Sequence, residues 1–384
     1  MWEQNRAIVP GSYNGAMAPV LDVCVRGAGI VGRTLALLLA RDRLRVGLVG
    51  APPSPSASDV RAYALNAASR QLLESVRGWP DPAHAAPVQG MEVHGDDGGQ
   101  VRFAADSRPA LAWIVDVQGL EARLDEALRY QPLVTRLDQP APAPLAVVCE
   151  GRASATRAEF GVQYEAQPYG QHAIAARLHC EKPHGHVARQ WFAGGEILAF
   201  LPLAGGTSPE GGNSVALVWS VAEQRAAGLL ACPPEEFARQ VEAASHSALG
   251  SLSLASERAS WPLQLARADR WCGPGWVLAG DAAHTVHPLA GQGLNLGLAD
   301  AGVLARVLHE REYWRGLGDE RLLRRYERTR KGDVLAMSAV TDGLQRLFAH
   351  PEPTWVTLRN WGMLGFDASG PLKQWVVRQA AGRL

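Results

Sequence analysis

"LDVCVRGAGIVGRTLALLLARDRLRVGLVG" runs from Leu21 to Gly50. Its first residues, Leu21–Val25, form a short apolar strand that ends in a glycine cluster. Ile30–Arg41 is rich in Leu and Ala and predicts a helix, and Arg45–Val49 predicts a second strand. Between the first strand and the helix stands G-x-G-x-x-G: Gly27, Gly29 and Gly32. The pattern is the fingerprint of a dinucleotide-binding α/β fold. Gly27 permits the tight turn, Gly29 lets the backbone approach a pyrophosphate, and Gly32 allows close helix–strand packing. Ile30 and Val31 open the helix, whose free N–H groups and positive dipole end suit the phosphates. The fingerprint also calls for an Asp or Glu near the end of the second strand, to hold the adenosine ribose. Gly50 stands there, and no carboxylate follows before Asp59. A lost charge-assisted hydrogen bond is worth about 1.5–3 kcal/mol, so a dinucleotide is expected to bind about tenfold to a hundredfold more weakly.

Working outward, 384 residues suggest two sequential or interpenetrating domains. The hydrophobic fraction of 47% and charged fraction of 20% read as an ordinary globular protein. A formal net charge of +0 gives no broad footprint for nucleic acid, so no nucleic-acid partner is expected. The five cysteines include no CxxC pair and are odd in number, which favours a reduced cytoplasmic protein over a disulfide framework. Cys24 and Cys149 lie in apolar runs and read as buried strand residues. Residues 1–20 read as a loose extension without a signal-peptide core. No uncharged apolar run approaches bilayer-spanning length.

Further along, "GAPPSPSASD" (Gly50–Asp59) is a loop and Asn66 caps a short helix. Met91–His94 and Val101–Ala104 flank "GDDGG" as a hairpin. Ile114–Asp116 leads into a helix near Leu120–Tyr130, and a proline-rich link precedes the strand Leu145–Cys149. Ala173–Leu178, Ile197–Leu201 and Val215–Ser220 read as strands. Pro234–Ala244, Leu294–Leu308, Asp319–Leu347 and Pro371–Ala381 read as helices, and Trp276–Ala279 as a buried strand.

That last strand feeds "GDAAHTVHPLAGQGLNLGLADA", Gly280–Ala301. Asp281 sits at a strand's C-terminal end, where ligands bind in open α/β sheets, and suits sugar-alcohol hydroxyls. Gly291 and Gly293 bend the chain so that the N–H groups of Leu294 and Asn295 head a helix and face a partial negative charge. His284 and His287 form an HxxH, but two histidines do not complete a metal site, so no metal is expected. No Ser/His/Asp triad stands out.

The Gly280–Ala301 segment resembles the second FAD motif of the class A FAD-dependent aromatic hydroxylases (monooxygenases), and most of all their ubiquinone-biosynthesis branch. "DVRAYAL" (Asp59–Leu65), "WIVDVQGLEARL" (Trp113–Leu124), "EGRASATR" (Glu150–Arg157), "LPLAG", "SVALVWS", "LRRYERTRKGDVLAM" (Leu323–Met337) and "RQAAG" (Arg378–Gly382) resemble further family segments, and the likeness covers nearly everything after residue 20. It implies a Rossmann-like FAD-binding domain of the glutathione-reductase/para-hydroxybenzoate-hydroxylase type, with an inserted mixed β-sheet substrate domain and C-terminal helices. The implied boundaries are 21–86, 105–160 and 265–320 for the FAD-binding domain, 87–104 and 161–264 for the substrate domain, and 321–384 for the helical region. By position, Gly27, Gly29 and Gly32 match the pyrophosphate loop, and Arg61 an arginine that contacts FAD. Gln118 lies near a side chain that reaches the cofactor. Asp281 matches the ribityl anchor, Pro288 flanks flavin and substrate, and Gly293, Leu294 and Asn295 match the backbone at the pyrimidine edge. Gly50 in place of an acid, Glu150 in place of Asp, and a short stretch from Tyr130 to Leu145 depart from the family pattern.

The resemblance implies hydroxylation of a polyprenyl phenol or quinone precursor, with FAD as cofactor, NADPH or NADH as a transient reductant and O₂ as co-substrate. The chemistry is then flavin-borne, and no catalytic side chain is assigned. Leu201, Pro202, Val218 and Trp219 are candidates for an apolar substrate wall, with core packing the equal alternative. The basic residues of "ERLLRRYERTRKGD" read as the wet face of an amphipathic helix or, alternatively, as a contact with anionic lipid on a membrane-peripheral protein. A homodimer or a ubiquinone-biosynthesis complex is the partnership left open. A weakly catalytic or non-catalytic scaffold subunit of such a complex is the second reading, motivated by Gly50 and the short 130–145 stretch.

Overall fold

The computed structural model describes residues 20–50, 59–95, 98–105, 108–205, 212–286 and 292–349, with backbone alone for 292 and 338–349. Most of the predicted extension, the 51–58 loop, His287, Pro288, Gly291 and the predicted helix over 371–381 lie outside the described residues, as does the Arg378–Gly382 segment.

The chain opens with Val23–Arg26 (β1), Ile30–Arg41 (α1) and Val46–Val49 (β2), then Ala62–Leu65 (β3), Ala67–Ser75 (α2), Ala85–Val88 (β4), Gly90–His94 (β5) and Gln100–Ala104 (β6). Ala112–Asp116 (β7) leads into Val117–Arg129 (α3), followed by Val134–Leu137 (β8), Leu145–Val148 (β9) and Ala155–Glu159 (α4). Four longer strands follow: Tyr164–Cys180 (β10), Val187–Ala193 (β11), Glu196–Pro202 (β12) and Ser214–Ala222 (β13). Next come Glu223–Ala231 (α5), Pro234–Ala244 (α6), Leu252–Leu254 (β14) and Ala259–Ala268 (β15). Cys272–Gly273 (β16), Trp276–Leu278 (β17), His284–Thr285 (β18), Gln292–His309 (α7) and Glu320–Ala349 (α8) complete the described chain.

Three sheets result. The first runs β16-β17-β9-β1-β2-β8 and is parallel except at the β16–β17 edge. Its inner strands read VCVR, VGLV, LAVV and WVL and are apolar on both faces, as a parallel sheet covered on both sides requires. α1 is buried along nearly its whole length and packs on α7 and α3. The second sheet runs β18-β15-β10-β13-β12-β11-β5-β6, with β14 alongside β10. One face of it, carrying Ile174, Phe200, Leu217 and Trp219, is covered by Ala226, Leu229, Phe237 and Val241 of α5 and α6. The small β3-β7-β4 sheet packs Ala86, Val88 and Ile114 against Ala188, Leu203 and Ala216 on the other face. The family-type α/β architecture with a mixed second sheet is therefore present.

Several sequence expectations meet their structure here. α1 and α6 have the expected bounds, Asn66 caps α2 by accepting from Ser69 N at 2.9 Å, and β5–β6 pair as the expected hairpin. β3, β4, β8, β11 and β15 were not legible. Ala173–Leu178 is the second half of a much longer strand. The first half of β10 is polar and exposed, and its register against β15 shifts between Pro168 and His172, so it shows no alternation to read. Cys24 is buried in β1, whereas Cys149 stands one residue past β9 and is half-buried. No helix among the described residues is long and apolar enough to cross a membrane.

Candidate cofactor-binding site

Each glycine of the first loop does a separate job. Gly27 adopts φ +112°, and a Cβ there would stand 2.3 Å from the Cys149 carbonyl oxygen. A Cβ at Gly32 would stand 1.9 Å from Gly27 O. Both contacts are with backbone, which cannot give way. A Cβ at Gly29 would meet nothing within 4 Å, so the loop is open at its outer edge. Gly29 caps α1 without a side-chain hydrogen bond, and the first turn holds no acidic residue. The first-turn N–H groups of α1, including those of Ile30 and Val31, therefore point into that opening unsatisfied by side chains. Buried Arg33 steadies the loop from behind: Nε donates to Ala28 O at 2.5 Å, and Nη1 lies 3.3 Å from Asp125.

Gly50 needs a different account from a missing acid. Its φ is +140°, and a Cβ there would lie 2.9 Å from Ala28 N and 3.0 Å from Ala28 Cβ. The end of β2 is pressed against the glycine loop, so a side chain of any kind is strained at this position.

The second motif reaches the first directly. β17 ends at Leu278, and Gly280 (φ +64°) starts a tight turn over Gly280–Ala282. A Cβ at Gly297 would stand 2.8 Å from Val31 Cγ2 and 3.5 Å from Gly280 Cα. Small residues at 280 and 297 thus let α7 and the turn close onto the start of α1. Gly280 N donates to Asp300 Oδ2 at 2.8 Å, Tyr164 Oη to Asp281 O at 3.0 Å, and Arg157 Nη1 to Ala282 O at 3.1 Å. Asp281 itself is half-buried, and its carboxylate has no hydrogen-bond partner among the described residues. Burial holds its pKa above the usual aspartate value, against the pull of His284 and Arg152.

At the head of α7, a Cβ at Gly293 would meet nothing within 4 Å, and Gly293 and Leu294 lie in the helix's first turn, next to Asn295. The side chain of Asn295 is otherwise engaged. Oδ1 accepts from Asn66 N (3.0 Å) and Ser69 Oγ (2.7 Å), and Nδ2 donates to Ala64 O (2.8 Å). It ties α7 to β3 and α2.

His284 is turned into the fold: Nε2 lies 2.7 Å from buried Asp300 Oδ2, and its ring stacks on Trp271 at 4.9 Å. Asp300 also accepts from Arg330 Nε at 2.7 Å. Among the described residues, no group of three or more His, Cys, Asp and Glu side chains is arranged to hold a metal. Asp300, Tyr164, Arg157 and Arg330 were missed as site-building residues. They come from four separate segments, and no local pattern marks their convergence.

Other expected residues divide. Arg61 forms a bidentate pair with Asp59 (2.9 and 2.5 Å), which raises the arginine's pKa and offsets part of its charge. Gln118 lies in the first turn of α3 with its side chain exposed. The expected substrate wall splits in two. Trp219 is 1% exposed in the helix-covered core and donates to Glu196 Oε2, and Pro202 is in register with Val215 on that same face. Leu201 and Val218 point to the opposite face, with Ala175, Ala199 and Ala216. Alternation along a strand makes a single wall of all four impossible. On the Leu201 side, a cavity of about 340 Å³ opens between Ala83, His84, Asp116, Arg177, Leu203 and Ser214.

A family profile described as "FAD binding domain" matches residues 134–339. The ubiquinone hydroxylase UbiL of Rhodospirillum rubrum is 31% identical over 97% of this chain and 92% of its own length. The 3-demethoxyubiquinol 3-hydroxylase of Escherichia coli is 31% identical over 94% of this chain and 98% of its own. Among solved structures, p-nitrophenol 4-monooxygenase PnpA from Pseudomonas putida DLL-E4 superposes with a TM-score of 0.74 at 17% identity, covering 94% of this chain and 97% of that one. PqsL from Pseudomonas aeruginosa, described as a probable FAD-dependent monooxygenase, gives 0.72 at 22%, covering 90% and 99%. At those identities the solved structures speak for the fold alone.

Proposed function

The chain belongs to the class A FAD-dependent monooxygenases, with the ubiquinone-biosynthesis hydroxylases among its relatives, and on that premise we propose that it hydroxylates the ring of a polyprenyl phenol or quinone precursor. FAD is the cofactor, and NADH or NADPH with O₂ complete the reaction. One observation carries the reading for this chain's own residues. The open glycine loop, the Asp281 carboxylate with no hydrogen-bond partner among the described residues, and the start of α7 stand together, joined through the contact of Val31 with Gly280 and Gly297.

The residues present fit FAD. The first turn of α1 is an uncapped anion site for the pyrophosphate. Asp281, short of partners, accepts hydrogen bonds from the hydroxyls of the ribityl chain. The N–H of Leu294, in the first turn of α7, would donate to a ring carbonyl. Bound there, FAD supplies the hydride-accepting and oxygen-activating chemistry. The chain's own part is to hold the aromatic ring and keep water away, and the sheet face carrying Leu201, Val218, Ala175 and Ala199 suits that task. We place the FAD-binding part at 21–86, 105–160 and 265–320, the substrate part at 87–104 and 161–264, and the helical part beyond 321. A membrane-peripheral location and a partner subunit or homodimer accord with an apolar substrate.

The scaffold reading loses its main motive, because Gly50 is accounted for by the close approach of Ala28. Purified protein is expected to be yellow or to take up added FAD. It should oxidise NAD(P)H faster with a prenylated phenol, and ¹⁸O from ¹⁸O₂ should appear in the product. Protein that binds no FAD, or turnover without incorporated label, overturns the proposal.

A further inference from the structure

Asp281 projects from a turn of three residues, and such a turn does not hold a carboxylate still by itself. Its peptides are tied both within the turn and from other segments. Asp300 takes the N–H of Gly280 at 2.8 Å, and Ala283 N closes the turn onto Gly280 O at 2.8 Å. Tyr164 holds the carbonyl of Asp281 itself, and Arg157 that of the next residue.

The Tyr164 hydroxyl has one proton. Asp281 O accepts only, so the proton goes there, and Thr285 Oγ1, 2.9 Å away, donates to the phenol oxygen. Thr285 lies in β18, four residues past Asp281, and so the phenol staples both ends of the segment that carries the carboxylate. The ring is held in turn. The Arg157 guanidinium lies 3.5 Å from its centroid while donating to Ala282 O and to Arg152 O. Tyr164 starts β10, the strand that crosses the second sheet, so the same residue links the cofactor turn to the substrate-side sheet.

We infer that Tyr164 is a positioning residue for the cofactor: its hydroxyl fixes the peptide of Asp281 so that the carboxylate is preorganised for the ribityl hydroxyls. Preorganisation raises affinity by sparing the ligand the ordering of its site. The inference rests on the proposed cofactor role of Asp281, and the test separates the two.

The decisive comparison uses Tyr164→Phe, which keeps the ring and its contact with Arg157 and removes only the hydroxyl. FAD is titrated into the apoprotein, followed by quenching of flavin fluorescence, for the wild type, Tyr164→Phe, Asp281→Ala and the double variant. Thermal unfolding of each apoprotein is recorded beside it. One hydrogen bond of ordinary strength corresponds to about threefold to tenfold in Kd. The expected result is a loss of that size in Tyr164→Phe, a larger loss in Asp281→Ala, and no further loss when Tyr164→Phe is added to Asp281→Ala. A Tyr164→Phe affinity within twofold of wild type overturns the inference while leaving Asp281 as the anchor. So does an equal loss in both backgrounds. Unchanged affinity in Asp281→Ala overturns the Asp281 assignment and the positioning role with it.

Discussion

His284 Nε2 and Asp300 Oδ2 lie 2.7 Å apart, with the histidine side chain 2% exposed and the aspartate fully buried. The other oxygen of Asp300 takes Arg330 Nε at 2.7 Å, and Gly280 N completes the set. Burial alone would lift the Asp300 pKa, but the charges and hydrogen bonds of His284 and Arg330 outweigh it and hold the value low. His284, the first histidine of the HxxH, is thus a hydrogen-bond partner of the buried aspartate that secures the Gly280 turn.

Removing Asp300 takes one of two carboxylates from buried Arg330, Asp333 being the other, and strips Gly280 N and His284 of their acceptor. Asp300→Ala is expected to cost about 3–5 kcal/mol, and Asp300→Asn, which keeps an acceptor, less. Because the folded pKa is depressed, the contribution of Asp300 is full above the unfolded value and is lost as pH falls through the folded one. Urea denaturation of wild type and Asp300→Asn between pH 7 and pH 3 checks this. The gap between the two should narrow on acidification, and a gap that does not depend on pH would contradict it.

Asp281 has the opposite sign. Its folded pKa is raised by burial, so between the unfolded and folded values the native state binds the extra proton, and stability falls as pH rises through that window. Asp281→Asn should therefore stabilise the apoprotein at neutral pH and lose that advantage below the unfolded carboxyl range. Its FAD affinity should drop about tenfold to a hundredfold, the equivalent of a charge-assisted hydrogen bond. Paired thermal melts and FAD titrations measure both.

Gly29 and Gly32 separate binding from folding. Gly29→Ala places its methyl in open space, so unfolding free energy should change by less than about 1 kcal/mol while FAD affinity falls. Gly32→Ala drives a methyl into Gly27 O and should destabilise the apoprotein strongly. Equal stability losses in the two variants would remove the distinction.

Gly50→Glu offers the acid that the dinucleotide fingerprint asks for, yet it should not improve FAD binding. With φ +140° and Ala28 against its Cβ, the substitution is expected to cost about 1 kcal/mol or more and to disturb the pyrophosphate loop. A tighter Kd for FAD in this variant would show that the missing carboxylate outweighs the strain.

Much of the architecture was written locally. The G-x-G-x-x-G between a short apolar strand and a Leu/Ala-rich helix names the first β-α-β unit, because tight turns and buried helices depend on neighbours in the chain. The positions of Asp281, just past a strand, and of Gly293, at the head of a helix, were legible for the same reason. Trp219 and Pro202 were not, because which face of β13 and β12 a residue takes depends on registers set by distant strands and by the helices that cover one side.

The sequence by itself determined the α/β class, the glycine loop, the acid at position 281 and the family. Only the tertiary structure decided how that acid is held and why residue 50 is glycine. Asp300, Tyr164 and Arg157 meet the Gly280–Ala282 turn from separate segments, and Ala28 meets Gly50 across the sheet end. Hydrogen bonds and steric exclusion act through space at a few ångströms, and no spacing along the chain encodes them until the chain has folded.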